Sequence, residues 1–333
     1  MADERVLVTA DPLNAETRLD LQEGLLTGAH RHYVRSHFSF PDPPAGLSVG
    51  GAVRRGRSLT IEELRSLPTR TTAVTLECAG NGRAFLQPPA PGEQWRLGAV
   101  STATWTGVPL RFLLEPAGVA STVVEILFRG ADHGKPPGLG REIAYERSLP
   151  LARALADDVL VAYAMNDGPI PVEHGAPLRL VVPSWYGMAS VKWLTEIVAV
   201  DAPFRGFYQA ERYIIDDAPL GRMYPRAVIV APFDIVEAGS PATIRGYAWS
   251  GSPVIRVELS SDAGATWRDA ELAPAAGPAA WREWRATWTA PAGTHVLFAR
   301  ATDAAGGTQP LLQRRTDLGY ANNAAQPVRV VAR

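Results

Sequence analysis

Cysteine is almost absent from this chain: Cys78 is the only one in 333 residues. A single thiol excludes an intramolecular disulfide framework and any metal site built from several cysteines, and it excludes the two-cysteine haem attachment motif as well. Excess charge of one sign is also missing. The 33 basic and 34 acidic residues leave a formal net charge of −1, so nothing directs the chain toward nucleic acid or an anionic membrane surface. If the chain binds anions, it must do so with a local cluster of arginines. No charge-free apolar run reaches about 18 residues, so no membrane span is expected. Glycine-rich phosphate loops, a Gly-x-Ser-x-Gly elbow and a His-Glu-x-x-His motif are all lacking. The opening MADERVLVTADPLNAETRLD has early acids and no apolar h-region. No signal peptide is therefore expected, which reads as cytoplasmic as written and as periplasmic if a leader has been removed.

What is present fits a folded protein of two domains. A chain of this length exceeds what one hydrophobic core usually organises. Its 46% hydrophobic and 20% charged residues argue against disorder. The first two-thirds mixes short helical and strand-like patterns and reads as α+β. Thr60 and Glu63 have capping-box spacing ahead of a short helix. PLRFLLEPAG (109–118) predicts a helix stopped by Pro116 and Gly118. VEILFRG, LVAYAM and LRLVVPSW predict strands. After about residue 228 the pattern becomes successive strands and turns, which fits an immunoglobulin-like β-sandwich. In IRVELSS, Ile255, Val257 and Leu259 alternate with polar residues as in a half-buried strand, and Asp262-Ala263-Gly264 reads as a turn. Without a disulfide the sandwich core must rest on packing, with Trp249, Trp267, Trp284 and Trp288 as contributors. The expected division is 1–215, a linker over 216–227, and 228–333.

Cys78 lies in VTLECAGNGR, between an apolar strand-like run and Ala-Gly-Asn-Gly. A lone cysteine is most often an inert buried filler. Two features argue otherwise. The glycines permit a turn and close approach just beyond the sulfur, and Arg83 follows five residues later, where it could help hold a thiolate. A thiolate suits a soft or high-valent metal.

ECAGNGR resembles the cysteine motif of the sulfite oxidase family, and further segments resemble that family in the same order. These are HYVRSHFSFP (32–41), EQWRLGAVSTATWTGVPL (93–110), the stretch 157–194, and RGYAWSG with DAGATW near the C-terminus. The resemblance implies an α+β molybdopterin-binding domain of the sulfite oxidase type, followed by an all-β immunoglobulin-like sandwich that pairs two chains into a homodimer. It implies molybdenum-molybdopterin as cofactor, with Cys78 as the protein's ligand to the metal. His37, Asp132, His174, Arg179, Ser190 and Lys192 match cofactor-binding positions, with backbone contacts near Gly187 to Val191. Arg35, Arg83 and Trp95 match the pocket for the substrate anion, and Tyr213 falls where the family places a tyrosine beside the reactive oxygen. Cys78, Tyr213, Arg35 and Arg83 are therefore the expected catalytic set. His30, His32, His133 and His295 carry no comparable case and read as surface or structural.

The implied reaction is oxidation of sulfite to sulfate by oxygen-atom transfer, with electrons passed to a separate acceptor, a c-type cytochrome being one candidate. No haem is expected in this chain. Two departures stand out. Ser36 replaces the family's asparagine between arginine and histidine, and Leu318 falls near a further pocket arginine, with Arg314 and Arg315 close by. They keep open another sulfur or nitrogen oxyanion, such as nitrate, as substrate. A cofactor-free β-sandwich interaction protein is the alternative from a different class.

Overall fold

A computed structural model describes residues 4–333. The N-terminal part is built on two five-stranded sheets. One runs Gly168–Pro169, Leu160–Met165, Val100–Pro109, Arg70–Glu77, with Arg179–Val181 also pairing with Leu160–Met165. The other runs Arg57–Thr60, Gly46–Gly51, Leu194–Val200, Glu125–Gly134, Ile143–Pro150. Every pairing is antiparallel except Leu194–Val200 with Gly46–Gly51. The three α-helices among the described residues are short. Ile61–Arg65 carries the expected capping box, in which Thr60 accepts from the Glu63 N–H while Glu63 accepts from the Thr60 N–H. Arg111–Ala117 ends at Gly118 in the left-handed region (φ +70°), with Pro116 inside the last turn, so the glycine alone terminates it. Strands thus outweigh helices even in the part that reads as mixed, because its apolar runs are β-branched and brief.

From Arg226 onward the chain forms a sandwich of two sheets. Arg226–Ala231, Pro241–Trp249, Arg282–Thr289 and Glu271–Leu272 make one. Ile235–Val236, Val328–Ala332, Gly293–Asp303, Val254–Ser260 and Arg268–Asp269 make the other. Trp284 and Trp288 fill its core as expected. Trp249 and Trp267 do not. Trp249 belongs to the N-terminal core, and Trp267 is half-buried beneath the Arg300 guanidinium, 4.0 Å from its ring centroid. The alternation in IRVELSS also starts differently. The register shifts between Val254 and Arg256, which turns Val254 inward and leaves Ile255 61% exposed, while Val257 and Leu259 are buried.

The sandwich is latched to the strand and loop that carry Cys78. Ala279 and Trp281 bond to Thr75, where Thr75 N–H donates to the Ala279 carbonyl (2.9 Å) and Trp281 N–H donates to Thr75 Oγ1 (2.7 Å). Ala321 N–H donates to the Ala79 carbonyl at 2.7 Å, and Asn322 Nδ2 to the Gly82 carbonyl at 2.8 Å. At the centre Arg226 Nε lies 2.9 Å from Glu77 Oε1, both side chains being at most 2% exposed. Asn81 Nδ2 donates to Oε1 at 3.0 Å and Trp249 Nε1 to Oε2 at 2.9 Å.

Removing one partner of such a buried pair leaves an uncompensated charge. Arg226→Met is expected to destabilise the protein by about 3–5 kcal/mol in denaturant unfolding, and adding Glu77→Gln to recover much of that loss.

Candidate active site

The strand Arg70–Glu77 is buried from Ala73 to its end, so it delivers Cys78 into the interior rather than to the surface. Cys78 N–H donates to the Ala99 carbonyl (2.8 Å), and Asn81 N–H closes a turn onto the Cys78 carbonyl (2.9 Å). Gly82 continues the loop at φ +84°, a conformation glycine adopts without strain. Cys78 itself is 6% exposed.

Two cavities meet at this residue. The inner one is lined by His32, Asp132, His174, Arg179, Ser190 and Lys192, among others. The outer one is lined by Arg83, Glu93, Lys135, Arg212, Leu318 and Tyr320, among others. Cys78, Arg35, His37 and Tyr213 line both.

The inner cavity sets Arg35, Arg179 and Lys192 against the carboxyls of Asp132 and Glu173. Arg179 donates to the His174 and Ser190 carbonyls (2.9 and 3.1 Å) and lies over the Trp105 ring. Lys192 Nζ donates to Ser36 Oγ (3.0 Å) and the Glu173 carbonyl (2.9 Å). Ser190 Oγ accepts from the Val182 N–H at 3.0 Å. Burial pushes Lys192 down to about 7 and Arg179 down to about 10, with Asp132 nearby pulling Lys192 back up. The same burial lifts Asp132 to about 6, against the pull of Lys192. His32 falls to about 3, and His37 and His174 fall well below their ordinary value, again through burial first. All three imidazoles are therefore neutral at pH 7.

These residues fit a pterin cofactor. Asp132 Oδ1 and His32 Nε2 are buried without a hydrogen-bond partner, which is costly unless a ligand supplies one. Buried cations short of counter-charge suit a phosphate. Among the described residues no three His, Cys, Asp or Glu side chains gather as a metal site. A metal beside Cys78 would therefore depend on ligands that the cofactor brings.

The outer cavity is organised around two arginines. Arg35 is paired with Glu93 at 3.2 Å and donates to Asn14 Oδ1 at 3.2 Å. Arg83 donates to the Glu93 carbonyl (2.9 Å) and twice to the Leu318 carbonyl (3.2 and 3.1 Å), and its guanidinium lies over the Tyr320 ring. A Cβ at Gly80 or Gly92 would come within 2.6 or 3.0 Å of Arg83 Nη1, and one at Gly319 within 3.1 Å of its Nε. His37 Nε2 and Tyr213 OH share a hydrogen bond of 2.7 Å, and the His37 ring stacks on Tyr145.

Of the residues singled out from sequence, one does not reach either cavity. Trp95 is fully buried and its indole N–H is unpartnered. It packs in the cluster that contains Cys78, and its carbonyl accepts from the Ala84 N–H, so it backs the cysteine loop rather than facing an anion. Arg83 does not hold Cys78 as a thiolate in this state either. Burial pushes the thiol up and outweighs the opposing pulls of Arg35, the Gly80 N–H and Arg83. Leu318 lines the outer cavity and gives Arg83 a carbonyl, whereas Arg314 and Arg315 are exposed and Arg314 pairs with Asp216. His32, read as structural, lines the inner cavity, its ring centroid 4.9 Å from that of His174. Tyr145, Glu173, Tyr320 and Arg212 also line the cavities and were not singled out. No local motif marks them, and the fold alone brings them together.

Residues 41–208 match the oxidoreductase molybdopterin binding domain, and residues 223–332 match the Mo-co oxidoreductase dimerisation domain. The chain belongs to the sulfite oxidase family of molybdopterin oxidoreductases. It is 36% identical to sulfite oxidase of Gallus gallus over 335 residues, covering 90% of this chain and 71% of that protein. It is also 36% identical to mitochondrial sulfite oxidase of Homo sapiens over 333 residues, covering 90% of this chain and 60% of that one. Nitrate reductase [NADH] of Volvox carteri is 33% identical over 293 residues, covering 77% of this chain and 34% of that protein. The chain spans about half to two-thirds of the length of the mammalian relatives it matches. The crystal structure of the sulfane dehydrogenase SoxCD from Paracoccus pantotrophus superposes with a TM-score of 0.84 at 28% identity, covering 97% of this chain and 87% of that one.

The depressed Lys192 makes a pH prediction for the cofactor-free protein. Unfolded chains keep Lys192 protonated up to its ordinary range near 10.5, whereas the folded state releases that proton from about 7. Stability should therefore rise between pH 7 and 8.5 as the cost of burying the charge is relieved. Unfolding curves of Lys192→Met across the same window should lack that rise.

Proposed function

We propose that this chain is a molybdenum enzyme that oxidises a small sulfur oxyanion, sulfite foremost, and passes the electrons to a separate acceptor. The observation that carries this reading is the position of Cys78 on the wall shared by a cation-rich inner cavity and an arginine-lined outer one. Arg179, Lys192, Asp132, His32 and His174 would hold the cofactor in the inner cavity, with Ser190 and the backbone of Gly187 to Val191 framing it. When bound, the cofactor supplies oxygen-atom transfer and takes up the two electrons that separate sulfite from sulfate.

The protein's own residues do the rest. Arg35 and Arg83 present guanidinium donors to the oxyanion. Tyr213 donates its hydroxyl hydrogen bond into the reaction space when neutral His37 donates Nε2–H to the phenol oxygen, so His37 orients the tyrosine. The unpaired polar atoms of the inner cavity speak against a cofactor-free interaction protein. Similarity to nitrate reductases, together with Leu318 at a pocket position, keeps nitrate as the second reading of the same site. A c-type cytochrome is the acceptor we favour. The match of 223–332 to a dimerisation domain supports a homodimer, and we divide the chain at 1–215, 216–227 and 228–333. Among the described residues no helix is long and apolar enough to cross a membrane.

Molybdenum-loaded protein should reduce ferricyanide in the presence of sulfite, and Cys78→Ser should lose more than about 100-fold of that rate. Loaded protein that ignores sulfite but accepts electrons for nitrate would transfer the reading to nitrate. Tyr213→Phe should lower kcat by about 100-fold with a smaller change in KM. Sedimentation should give a mass twice the 35.8 kDa of one chain.

A further inference from the structure

Both arginines expected to bind the oxyanion are partly committed within the protein. Arg83 gives three of its five N–H groups to the Leu318 and Glu93 carbonyls. Arg35 faces the Glu93 carboxylate at 3.2 Å, which cancels much of its charge. Leu318 adds a carbonyl to the cavity and no cation. Two further cations line the same space, Lys135 and Arg212. Lys135 is exposed, where water and salt screen it.

Arg212 is different. It is half-buried at the end of the π-helical turn Tyr208–Arg212, directly before Tyr213. Its guanidinium carbon lies 4.9 Å from the Phe207 ring centroid. Among the described residues it makes no ion pair and no side-chain hydrogen bond, and its charge is felt at both Tyr208 and Tyr320, which line the same cavity. All of its planar donors remain available, held by an aromatic face rather than by an anion.

We infer that Arg212 is the substrate-selecting cation of the outer cavity, binding a tetrahedral or pyramidal oxyanion through a full set of donors beside the few that Arg35 and Arg83 have left. This rests on the oxyanion reading above. The π-helical turn explains how it gets there, since one extra residue in the turn re-aims the side chains that follow. Tyr213 and Arg212 are thereby presented to the same cavity from adjacent positions.

The test uses molybdenum-loaded protein and two readouts, steady-state kinetics with sulfite and calorimetric titration with sulfate, an unreactive tetrahedral anion. Arg212→Gln keeps a planar polar side chain, shorter than arginine, while removing its charge, and Arg212→Lys keeps the charge while removing the fork. Arg212→Gln should raise KM for sulfite about 10- to 50-fold with kcat within about twofold, and weaken sulfate by a similar factor. Arg212→Lys should recover part of both. An unchanged KM and an unchanged sulfate affinity in Arg212→Gln would overturn the inference while leaving the enzyme reading intact. Wild-type protein that binds sulfate without oxidising sulfite, with binding lost in Arg212→Gln, would sink sulfite as substrate and uphold Arg212 as the anion-binding cation. Wild-type protein that binds no sulfate would overturn the role given to Arg212.

Discussion

The buried contact between Glu77 and Arg226 joins the residue before Cys78 to the first strand of the sandwich. Arg226 also donates to the Asn81 and Asn322 carbonyls, so one guanidinium ties three segments around the cysteine loop. Such a pair is not in itself a strong source of stability, because the cost of burying both charges offsets most of their attraction. Its effect is on specificity. Glu77 has the Arg226 charge and the Asn81 and Trp249 donors to satisfy it, and two of those three partners, Arg226 and Trp249, come from strands of the sandwich. The loop that presents Cys78 is therefore shaped by both domains.

The two cavities differ in how their charges are balanced, and the difference follows from what each is suited to receive. In the inner cavity Lys192 and Arg179 are buried with little counter-charge and are pushed down by desolvation. A bound anionic group would reverse that penalty. In the outer cavity Glu93 offsets Arg35 and backbone carbonyls engage Arg83, while Lys135 is exposed and Arg212 is half-buried, so an entering anion meets cations that water also reaches. The first arrangement suits a resident group held for the life of the protein. The second suits a substrate that must also leave.

Much of this organisation was legible in the sequence, and the illegible part has physical causes. Cys78 stood out because glycines follow an apolar strand, and the capping box at Thr60 was legible because its spacing is local. The sandwich was legible from its turns. Trp249 was misassigned because a strand at the domain joint shows two buried faces, and periodicity cannot say which core each face enters. Ile255 was misplaced because a bulge shifts the register without leaving a mark in the pattern. Trp95 matched a pocket position but lies behind the loop, and His32, which opens the segment 32–41 but reads as surface or structural, lines the cavity. Depth along a strand end is set by tertiary packing. Arg212 escaped notice because a π-helical turn has no sequence signature of its own.

The Arg83 guanidinium fills space left by three absent side chains, at Gly80, Gly92 and Gly319. It cannot swing aside to admit one, being fixed to the Leu318 and Glu93 carbonyls. Only Gly80 owes its missing side chain to the arginine alone. Gly92 (φ +101°) and Gly319 (φ +64°) are also held by their left-handed backbone, and a Cβ at Gly319 would meet Ala90 Cβ at 2.7 Å before it met Arg83. Positions 80 and 83 are thus joined as a unit of inheritance: a lineage that exchanges the arginine for a smaller residue releases Gly80, while positions 92 and 319 stay glycine in either case.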